Sequence, residues 1–306
     1  MRGTTVPGAR PEEKGARGEK DVTARSYLYV PADRPDLLTG ALGRGADAII
    51  VDLEDAVAER AKDEARRGLA AWLAGYHGGS DGPEVWVRVN NRPGLLAEDL
   101  AAVTDSGPIS GVSIPKVERH DTIEEVADCL PSGAGIIGLI ESAQGVLEAA
   151  AIASSPHVVR LALGEADLVA HLGVDPSVGR VELVSLRMGL VVASAAAGVT
   201  GPIAPVSTDY RDLAALRTST EELKKMGFGA RSAIHPDQVA VINEAFTPSA
   251  AELEEARRLI AAADQASARG AGVFIDEDGR MVDEAVVRSA RNLVAEGTRR
   301  DAPRDA

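Results

Sequence analysis

Eight short apolar runs, rich in β-branched residues, alternate with longer helix-like stretches between Ser26 and Ile234. This alternation is typical of parallel strands joined by crossover helices. Eight such units over about 220 residues favour a closed (β/α)8 TIM barrel over an open doubly wound sheet. The predicted strands are SYLYV (26–30), AIIVDLE (48–54), EVWVRVN (84–90), GVSIPKV (111–117), GIIGLIE (135–141), VVRLALG (158–164), GPIAPVS (201–207) and ARSAI (230–234). The predicted helices between them are 35–44, 59–75, 95–103, 121–130, 144–153, 181–197 and 210–226.

The composition divides the chain into three parts. Residues 1–24 contain almost no large apolar side chain, and we predict a disordered tail because such a segment buries too little surface to offset its ordering entropy. Residues 25–246 form the predicted catalytic barrel. Residues 247–306 are predicted to be a C-terminal lid, with a long helix at 248–269 and an Asp278-Gly279 turn that joins two short strands before a last helix.

Charge and cysteine content exclude several kinds of partner. The chain carries 33 basic and 47 acidic residues, a net charge of −14, which repels a nucleic-acid backbone and an anionic bilayer. The single cysteine, Cys129, falls in a predicted helix and allows neither an intrachain disulfide nor a thiolate metal cluster. No apolar run approaches the ~18 residues of a membrane span, and the N-terminus lacks a signal-peptide core. We therefore expect a cytoplasmic protein.

Polar residues concentrate at the C-terminal ends of the predicted strands, where TIM barrels carry their chemistry. They are Asp52, Glu54, Asp55, Arg88, Asn90, Lys116, Glu141, Glu165, Asp167 and His235. Such a set would be a poor core, because a buried unpaired charge is costly. It suits Mg²⁺, which binds one or two carboxylates and keeps several waters. Because thiolates are lacking and most of the five histidines lie away from strand ends, zinc is less natural.

Some of these residues have ordinary structural explanations. A lone carboxylate at a strand end is usually a helix cap or an ion-pair partner. This is the expectation for Asp52, Asp55 and Glu165, and His235 is expected to cap the following helix. Two roles remain open for Lys116: a structural ion pair, or a ligand for a substrate carboxylate. The combination of Arg88, Glu141 and Asp167 on three strands is harder to explain structurally, and it predicts the site.

Nine segments, in order, resemble the citrate lyase β-subunit family within the HpcH/HpaI aldolases and acyl-CoA lyases. They are YVPADRPDLL (29–38), IIVDLEDAV (49–57), VRVNN (87–91), IPKVE (114–118), LIESAQGVLEA (139–149), LGEADL (163–168), AIHPDQV (233–239), FTPSAAELEEARRLI (246–260) and GRMVDEAVV (279–287). Each is weak alone, but nine in one order across residues 25–297 are specific. The resemblance implies a TIM barrel that forms homotrimers or hexamers, often with the C-terminal segment covering the site of an adjacent subunit.

The resemblance also implies roles for particular residues. Glu141 and Asp167 match the family's Mg²⁺ ligands, and Arg88 matches the arginine that binds substrate oxygens. Glu54 is similar to an acid near the metal waters, and Asp283 to an acid that the C-terminal segment supplies. Asp283 is therefore the candidate base that removes a proton from an acyl-CoA methyl group, with Glu54 or a metal-bound water as the fallback.

Other features of the match leave the substrate open. Lys116 and Arg34 are candidate substrate-binding residues, Arg34 for the CoA nucleotide, with an ion pair as its alternative. The chain reads Gly-Glu-Ala-Asp at 164–167 where many relatives read Gly-Ala-Glu-Asp. It reads Pro-Val-Ser-Thr-Asp at 205–209, where many relatives end the strand with an Asp. Both departures concern substrate identity more than the metal.

The implied activity is Mg²⁺-dependent cleavage or formation of a carbon–carbon bond between an acyl-CoA and a 2-oxo acid, as in citryl-, malyl- or citramalyl-CoA lyases. The metal would lower the cost of the negative charge that drives retro-Claisen scission, and Arg88 would stabilise the thioester enolate. The alternatives are a CoA-independent pyruvate aldolase, a non-catalytic binding barrel and a citrate lyase β subunit with acyl-carrier and transferase partners.

Overall fold

Eight parallel strands close into a barrel in sequence order, with β8 pairing back onto β1. The computed structural model describes residues 24–78, 82–176, 180–276 and 279–301. The strands are β1 Ser26–Pro31, β2 Ala48–Asp52, β3 Glu84–Arg88, β4 Gly111–Ile114, β5 Gly135–Ile140, β6 Val158–Leu163, β7 Thr200–Ala204 and β8 Ala230–Ala233. The predicted TIM barrel and all eight of its strands are confirmed.

Helices surround the barrel and connect its strands. They are α1 Pro35–Ala41, α2 Lys62–Gly75, α3 Leu95–Thr104, α4 His120–Ala127, α5 Ala143–Ser154, α6 Glu165–Leu172, α7 Val181–Ala197, α8 Leu213–Met226 and α9 Pro236–Phe246. A short 3-10 turn, Glu59–Ala61, precedes α2. Two details correct the sequence analysis: Cys129 lies in a turn beyond α4, and α6 was not predicted as a helix.

Most predicted strands end one to three residues too late, because polar residues at the rim leave the hydrogen-bonded ladder. Asp52 shows how this happens: its carboxylate accepts the backbone N–H groups of Glu54 (2.8 Å) and Ala56 (3.1 Å), which turns the chain away from the sheet. Lys116 adopts φ +50°, in the left-handed region, two residues after β4. The rim therefore consists of turns, and the site residues either end the strands, as Asp52 and Arg88 do, or follow them.

Apolar side chains fill the barrel and seal it against the helices. The interior cluster is Ala24, Tyr27, Ala48, Ile50, Trp86, Ile137, Leu139, Ala162, Ile203 and Ala230. At the floor, buried Arg160 donates to the Ala24 carbonyl (2.8 Å) and to the Tyr27 hydroxyl (3.3 Å). Ala24 is thus part of the barrel, which corrects the end of the predicted tail; residues 1–23 lie outside the described residues.

After α9 the alternation of strands and helices stops, as predicted. The extension comprises α10 Ala250–Ala268, the antiparallel strands β9 Phe274–Ile275 and β10 Met281–Val282, and α11 Glu284–Asp301. Asp278 of the predicted turn lies outside the described residues. Helix α11 packs on α10, where a side chain at Gly297 would meet Leu253 Cδ2 at 2.7 Å. Among the helices of the described segments, none combines the length and hydropathy that crossing a bilayer requires.

Candidate active site

Glu141 is a buried carboxylate at the carboxyl end of β5. Its side chain is 5% exposed, and its Oε2 accepts the backbone N–H of Lys116 at 3.0 Å. Within the described part of the chain, no basic side chain lies within ion-pairing distance of it. Burial raises the pKa of Glu141 to about 8, against the lowering effect of Lys116 and with a further increase from Asp167. This carboxyl group therefore needs either a proton or a cation.

Asp167 lies beside Glu141 but not at a strand end. It occupies the first turn of α6, which corrects the prediction, because the chain enters the helix directly after Gly164. Its side chain is 47% exposed, and its Oδ2 lies 3.9 Å from Lys116 Nζ. Asp167 and Glu141 line the same cavity, and the influence of Asp167 on the pKa of Glu141 reflects their proximity.

Gly164 leaves the space that Glu141 occupies. A Cβ at this position would lie 2.4 Å from both Cγ and Oε1 of Glu141. The backbone of Gly164 has φ −98°, which alanine also adopts, so the requirement for glycine comes from the neighbouring carboxylate. The absent side chain thus helps to set the position of the predicted metal ligand.

We expect Gly164→Ala to weaken Mg²⁺ binding by about tenfold or more, ~1.4 kcal/mol, because the added methyl group displaces Glu141. Calorimetric titration measures the affinity, and thermal denaturation checks the fold. Gly68→Ala is the control, since nothing lies within 4 Å of a Cβ added there on helix α2. Equal Mg²⁺ affinity in Gly164→Ala and wild type would show that Gly164 does not position the ligand.

Arg88 ends β3, and two carboxylates hold it in place. Its Nε and Nη2 contact the two carboxylate oxygens of Asp52 at 2.8 and 2.5 Å, and its Nη1 lies 3.0 Å from Glu54 Oε2. The side chain is 12% exposed and lines the cavity. Burial alone would lower the pKa of Arg88, but its contacts with Asp52 raise it above the ordinary value. The guanidinium is a permanently charged, oriented donor.

Glu54 and Lys116 form a second ion pair at the rim. Lys116 Nζ lies 2.6 Å from Glu54 Oε1 and 3.4 Å from Asp55 Oδ2, so its ion-pair role is confirmed. Burial raises the pKa of Glu54, although Arg88 and Lys116 oppose the increase. Burial would lower the pKa of Lys116, but its contacts with the nearby carboxylates outweigh this effect.

The charge balance of the rim fits a divalent cation. The rim holds two cationic side chains, Arg88 and Lys116. It also holds five carboxylates, which are those of Asp52, Glu54, Asp55, Glu141 and Asp167. Full ionisation would leave an excess of three negative charges. No three His, Cys, Asp or Glu side chains gather as a ready ligand cluster in the described segments. Two protein carboxylates with waters at the other positions are the coordination that Mg²⁺ favours, so the residues present fit this ion.

The cavity has a volume of about 800 Å³ and extends beyond the carboxylate pair towards α7 and α8. At that end the carboxylate of Glu165 accepts two hydrogen bonds from the Arg187 guanidinium, at 2.5 and 2.9 Å. Arg180 Nη1 lies 3.7 Å from Glu165 Oε2. The ion-pair role expected for Glu165 is confirmed, and so is that of Asp52. Sequence reasoning missed Arg187 because nothing in α7 points to a partner 22 residues earlier.

The remaining predicted residues lie outside this cavity or at its edge. Exposed Arg34 pairs with Asp36 at 2.8 Å, the alternative given for it. His235 caps α9 by accepting the backbone N–H of Asp237, as predicted. Asp283 accepts the backbone N–H groups of the residues at 285 and 286 at 3.0 and 3.1 Å, at the start of α11. Within its own chain Asp283 is a helix cap and does not line the cavity.

A closed barrel with a buried carboxylate, a neighbouring aspartate and a fixed arginine at its rim defines a TIM-barrel enzyme that uses a divalent cation. The sequence model of the HpcH/HpaI aldolase/citrate lyase family matches residues 25–236. The chain belongs to this family, which confirms the resemblance and the carbon–carbon lyase class that the motifs indicated.

Three relatives match nearly the whole chain. (3S)-malyl-CoA thioesterase from Cereibacter sphaeroides is 37% identical over 278 residues, which are 89% of this chain and 93% of that protein. Citrate lyase subunit beta from Escherichia coli is 31% identical over 291 residues, covering 90% and 94%. Protein CitE from Mycobacterium tuberculosis, solved in complex with magnesium, acetoacetate and coenzyme A, has a TM-score of 0.76 and 30% identity, covering 90% and 98%.

Proposed function

We propose that this protein is a Mg²⁺-dependent CoA-ester lyase that makes or breaks a carbon–carbon bond between an acyl-CoA and a 2-oxo acid. The observation that carries the proposal is the pair Glu141 and Asp167, where Glu141 has no cationic partner among the described residues and both face a cavity shared with Arg88. The relatives' names and the magnesium, acetoacetate and coenzyme A bound by the solved relative support this reaction class.

Glu141 and Asp167 would hold the Mg²⁺ ion, which when bound supplies a Lewis acid for substrate oxygens. Arg88 would orient the substrate: Asp52 and Glu54 fix its guanidinium, and its remaining hydrogens can donate to a carbonyl oxygen that gains negative charge. This arrangement is pre-organised, because the arginine does not have to move when the charge develops.

Proton transfer at the acyl carbon requires a base. Glu54 is one candidate, because burial raises its pKa and a stronger base results. The ion pairs of Glu54 with Lys116 and Arg88 restrict its movement. This favours a second carboxylate as the base, brought to the site when it closes. Lys116, half exposed at the rim, would bind a substrate carboxylate while it keeps Glu54 ionised.

Product analysis tests the proposed reaction. The full-length protein is incubated with malyl-, citramalyl- and citryl-CoA and with CoA-free hydroxy-oxo acids, with Mg²⁺ or with a chelator, and the products are identified by mass spectrometry. A lyase releases a shorter acyl-CoA and a 2-oxo acid only with Mg²⁺. Thioester hydrolysis, which the name of the Cereibacter relative favours as the second candidate, releases free CoA and a hydroxy acid instead. Turnover only of CoA-free hydroxy-oxo acids indicates an aldolase, and no turnover contradicts the proposal.

A homotrimer or hexamer is part of the proposal, and an exposed apolar stripe supports it. Val181, Val184, Met188 and Val192 are exposed along one face of α7, and Leu147 on the adjacent α5 is 79% exposed. Contiguous exposed apolar surface of this kind marks protein interfaces. The proposed cytoplasmic location rests on the sequence argument alone, and cell fractionation tests it.

The lid extension is proposed to act on a neighbouring subunit. Ile275 and Met281 are cross-strand partners in the β9–β10 hairpin, and they are 63% and 65% exposed. Apolar side chains on such a small hairpin favour contact with another surface. That contact would bring Asp283, directly after β10, to the neighbour's cavity. One oxygen of Asp283 caps α11, which leaves the other available as a base.

We expect Asp283→Asn to lose turnover and to regain it in hybrids with an inactive Glu141→Gln protein. Recovery follows because some sites then combine intact metal ligands from one chain with an intact Asp283 from the other. Sedimentation velocity first establishes the oligomer, and a fluorescence label verifies subunit exchange. Asp264→Asn, at an exposed position paired with Arg291 in the same extension, is the control. Exchange without recovered activity contradicts action in trans, and normal turnover of Asp283→Asn contradicts any catalytic role.

A further inference from the structure

Tyr29 presents an unused hydroxyl group to the cavity. It lies on β1, packs against the barrel's interior cluster and borders the cavity together with Glu141 and Arg88. Among the described residues the Tyr29 hydroxyl has no hydrogen-bond partner. It is also absent from the fully inaccessible polar atoms without a partner, so the hydroxyl is accessible from the cavity side. The hydroxyl therefore remains open to whatever the cavity binds.

The surroundings of Tyr29 make it a hydrogen-bond donor. The guanidinium carbon of Arg88 lies 5.0 Å from the centre of its ring, so the phenol and the arginine flank the same part of the cavity. Burial raises the pKa of Tyr29 well above its ordinary value; Arg88 opposes this increase, and Asp52 and Glu141 add to it. At neutral pH the hydroxyl keeps its proton and can donate it in a hydrogen bond, but it cannot serve as a base.

We propose that the Tyr29 hydroxyl donates a hydrogen bond to a carbonyl or carboxylate oxygen of the 2-oxo acid portion of the substrate, beside Arg88. The identity of that substrate rests on the proposed function. A partly buried donor without a protein partner gains most when a ligand oxygen replaces loosely held water. Placed at an oxygen whose charge grows during the reaction, it would also lower the barrier.

Tyr29→Phe tests this inference, because it removes one oxygen atom and keeps the ring below Arg88. We expect the affinity for pyruvate in the presence of Mg²⁺, measured by calorimetry, to fall about tenfold. With the thioester substrate, kcat/KM should fall about ten- to a hundredfold, and the decrease should lie largely in kcat. Circular dichroism and thermal denaturation verify that the variant folds.

Tyr27→Phe is the matched control. Tyr27 lies two residues earlier on the same strand, but its hydroxyl meets Arg160 at the barrel floor and does not border the cavity. This variant should keep the pyruvate affinity and kcat/KM of the wild type, although its thermal stability should fall. Equal loss in both variants would indicate a general packing effect and overturn the inference.

The two readouts separate this inference from the proposed function. Pyruvate affinity in Tyr29→Phe equal to that of the wild type overturns the role of the hydroxyl, whatever the turnover. Absence of pyruvate binding to the wild type overturns it as well. If the wild type binds pyruvate but turns over no thioester, the proposed lyase function fails, while a weaker affinity in Tyr29→Phe still supports the hydrogen bond.

Discussion

Glu141→Gln and Asp167→Asn are each expected to abolish Mg²⁺-dependent turnover and to leave a folded protein. Each substitution removes one of the two carboxylates that face the cavity, and neither side chain belongs to the apolar core. Because Mg²⁺ binds few protein ligands, the loss of one leaves too little affinity to hold it. We expect kcat to fall by about a thousandfold or more, ~4 kcal/mol of transition-state stabilisation. Steady-state kinetics and calorimetric Mg²⁺ titration measure both effects.

Glu148→Gln is the control for this pair, since it makes the same charge change at a partly exposed position on α5 that does not line the cavity. It should bind Mg²⁺ and turn over like the wild type. Unchanged Mg²⁺ binding in both Glu141→Gln and Asp167→Asn would remove the metal assignment.

Stability in a chelator gives a further test of Glu141. Burial raises the pKa of Glu141 from its ordinary range to about 8, so the folded state keeps a proton that the unfolded chain releases. Relative to low pH, the metal-free wild type should therefore lose stability as the pH rises from about 4.5 through about 8. Glu141→Gln stays neutral and should lack this component in a series of denaturant titrations. Identical pH profiles would contradict the raised pKa.

Arg88→Lys is the second substitution with a large expected effect, because a planar fork is replaced by a single ammonium group. Arg88 contacts Asp52 through two nitrogens and Glu54 through a third, and still has hydrogens to donate. A lysine cannot reproduce these contacts and also reach the substrate. We expect kcat/KM to fall about a hundredfold, ~2.7 kcal/mol.

Arg217→Lys provides the matched control for Arg88. Arg217 is an exposed arginine on α8 that pairs with Glu244 at 2.6 Å, away from the cavity. This variant should keep the activity of the wild type. If kcat/KM of Arg88→Lys stays within about threefold of wild type, a difference under ~1 kcal/mol, Arg88 does not hold the reacting oxygens.

The barrel was predictable from sequence because parallel strands are buried on both faces and read as continuous apolar runs. The region of the site followed from the same pattern, since the carboxyl ends of such strands meet at one face. This pattern makes it possible to recognise Arg88, Glu141 and Asp167 as neighbours, although Arg88 and Asp167 are 79 positions apart in the sequence. The strand ends were less predictable, because the carboxylate of Asp52 and the positive φ of Lys116 end the ladder through local contacts.

The sequence by itself determined the eightfold alternation, the rim carboxylates, the capping role of His235 and the separate C-terminal extension. These features depend on local periodicity and on residue chemistry near one position. Only the tertiary structure decided that Asp52 pairs with Arg88 and that Glu165 pairs with Arg187. It also decided that Gly164 leaves space for Glu141 and that the Tyr29 hydroxyl has no partner among the described residues. The physical reason is that these relations join side chains from different strands and helices. Their distances and burial arise only when the barrel closes.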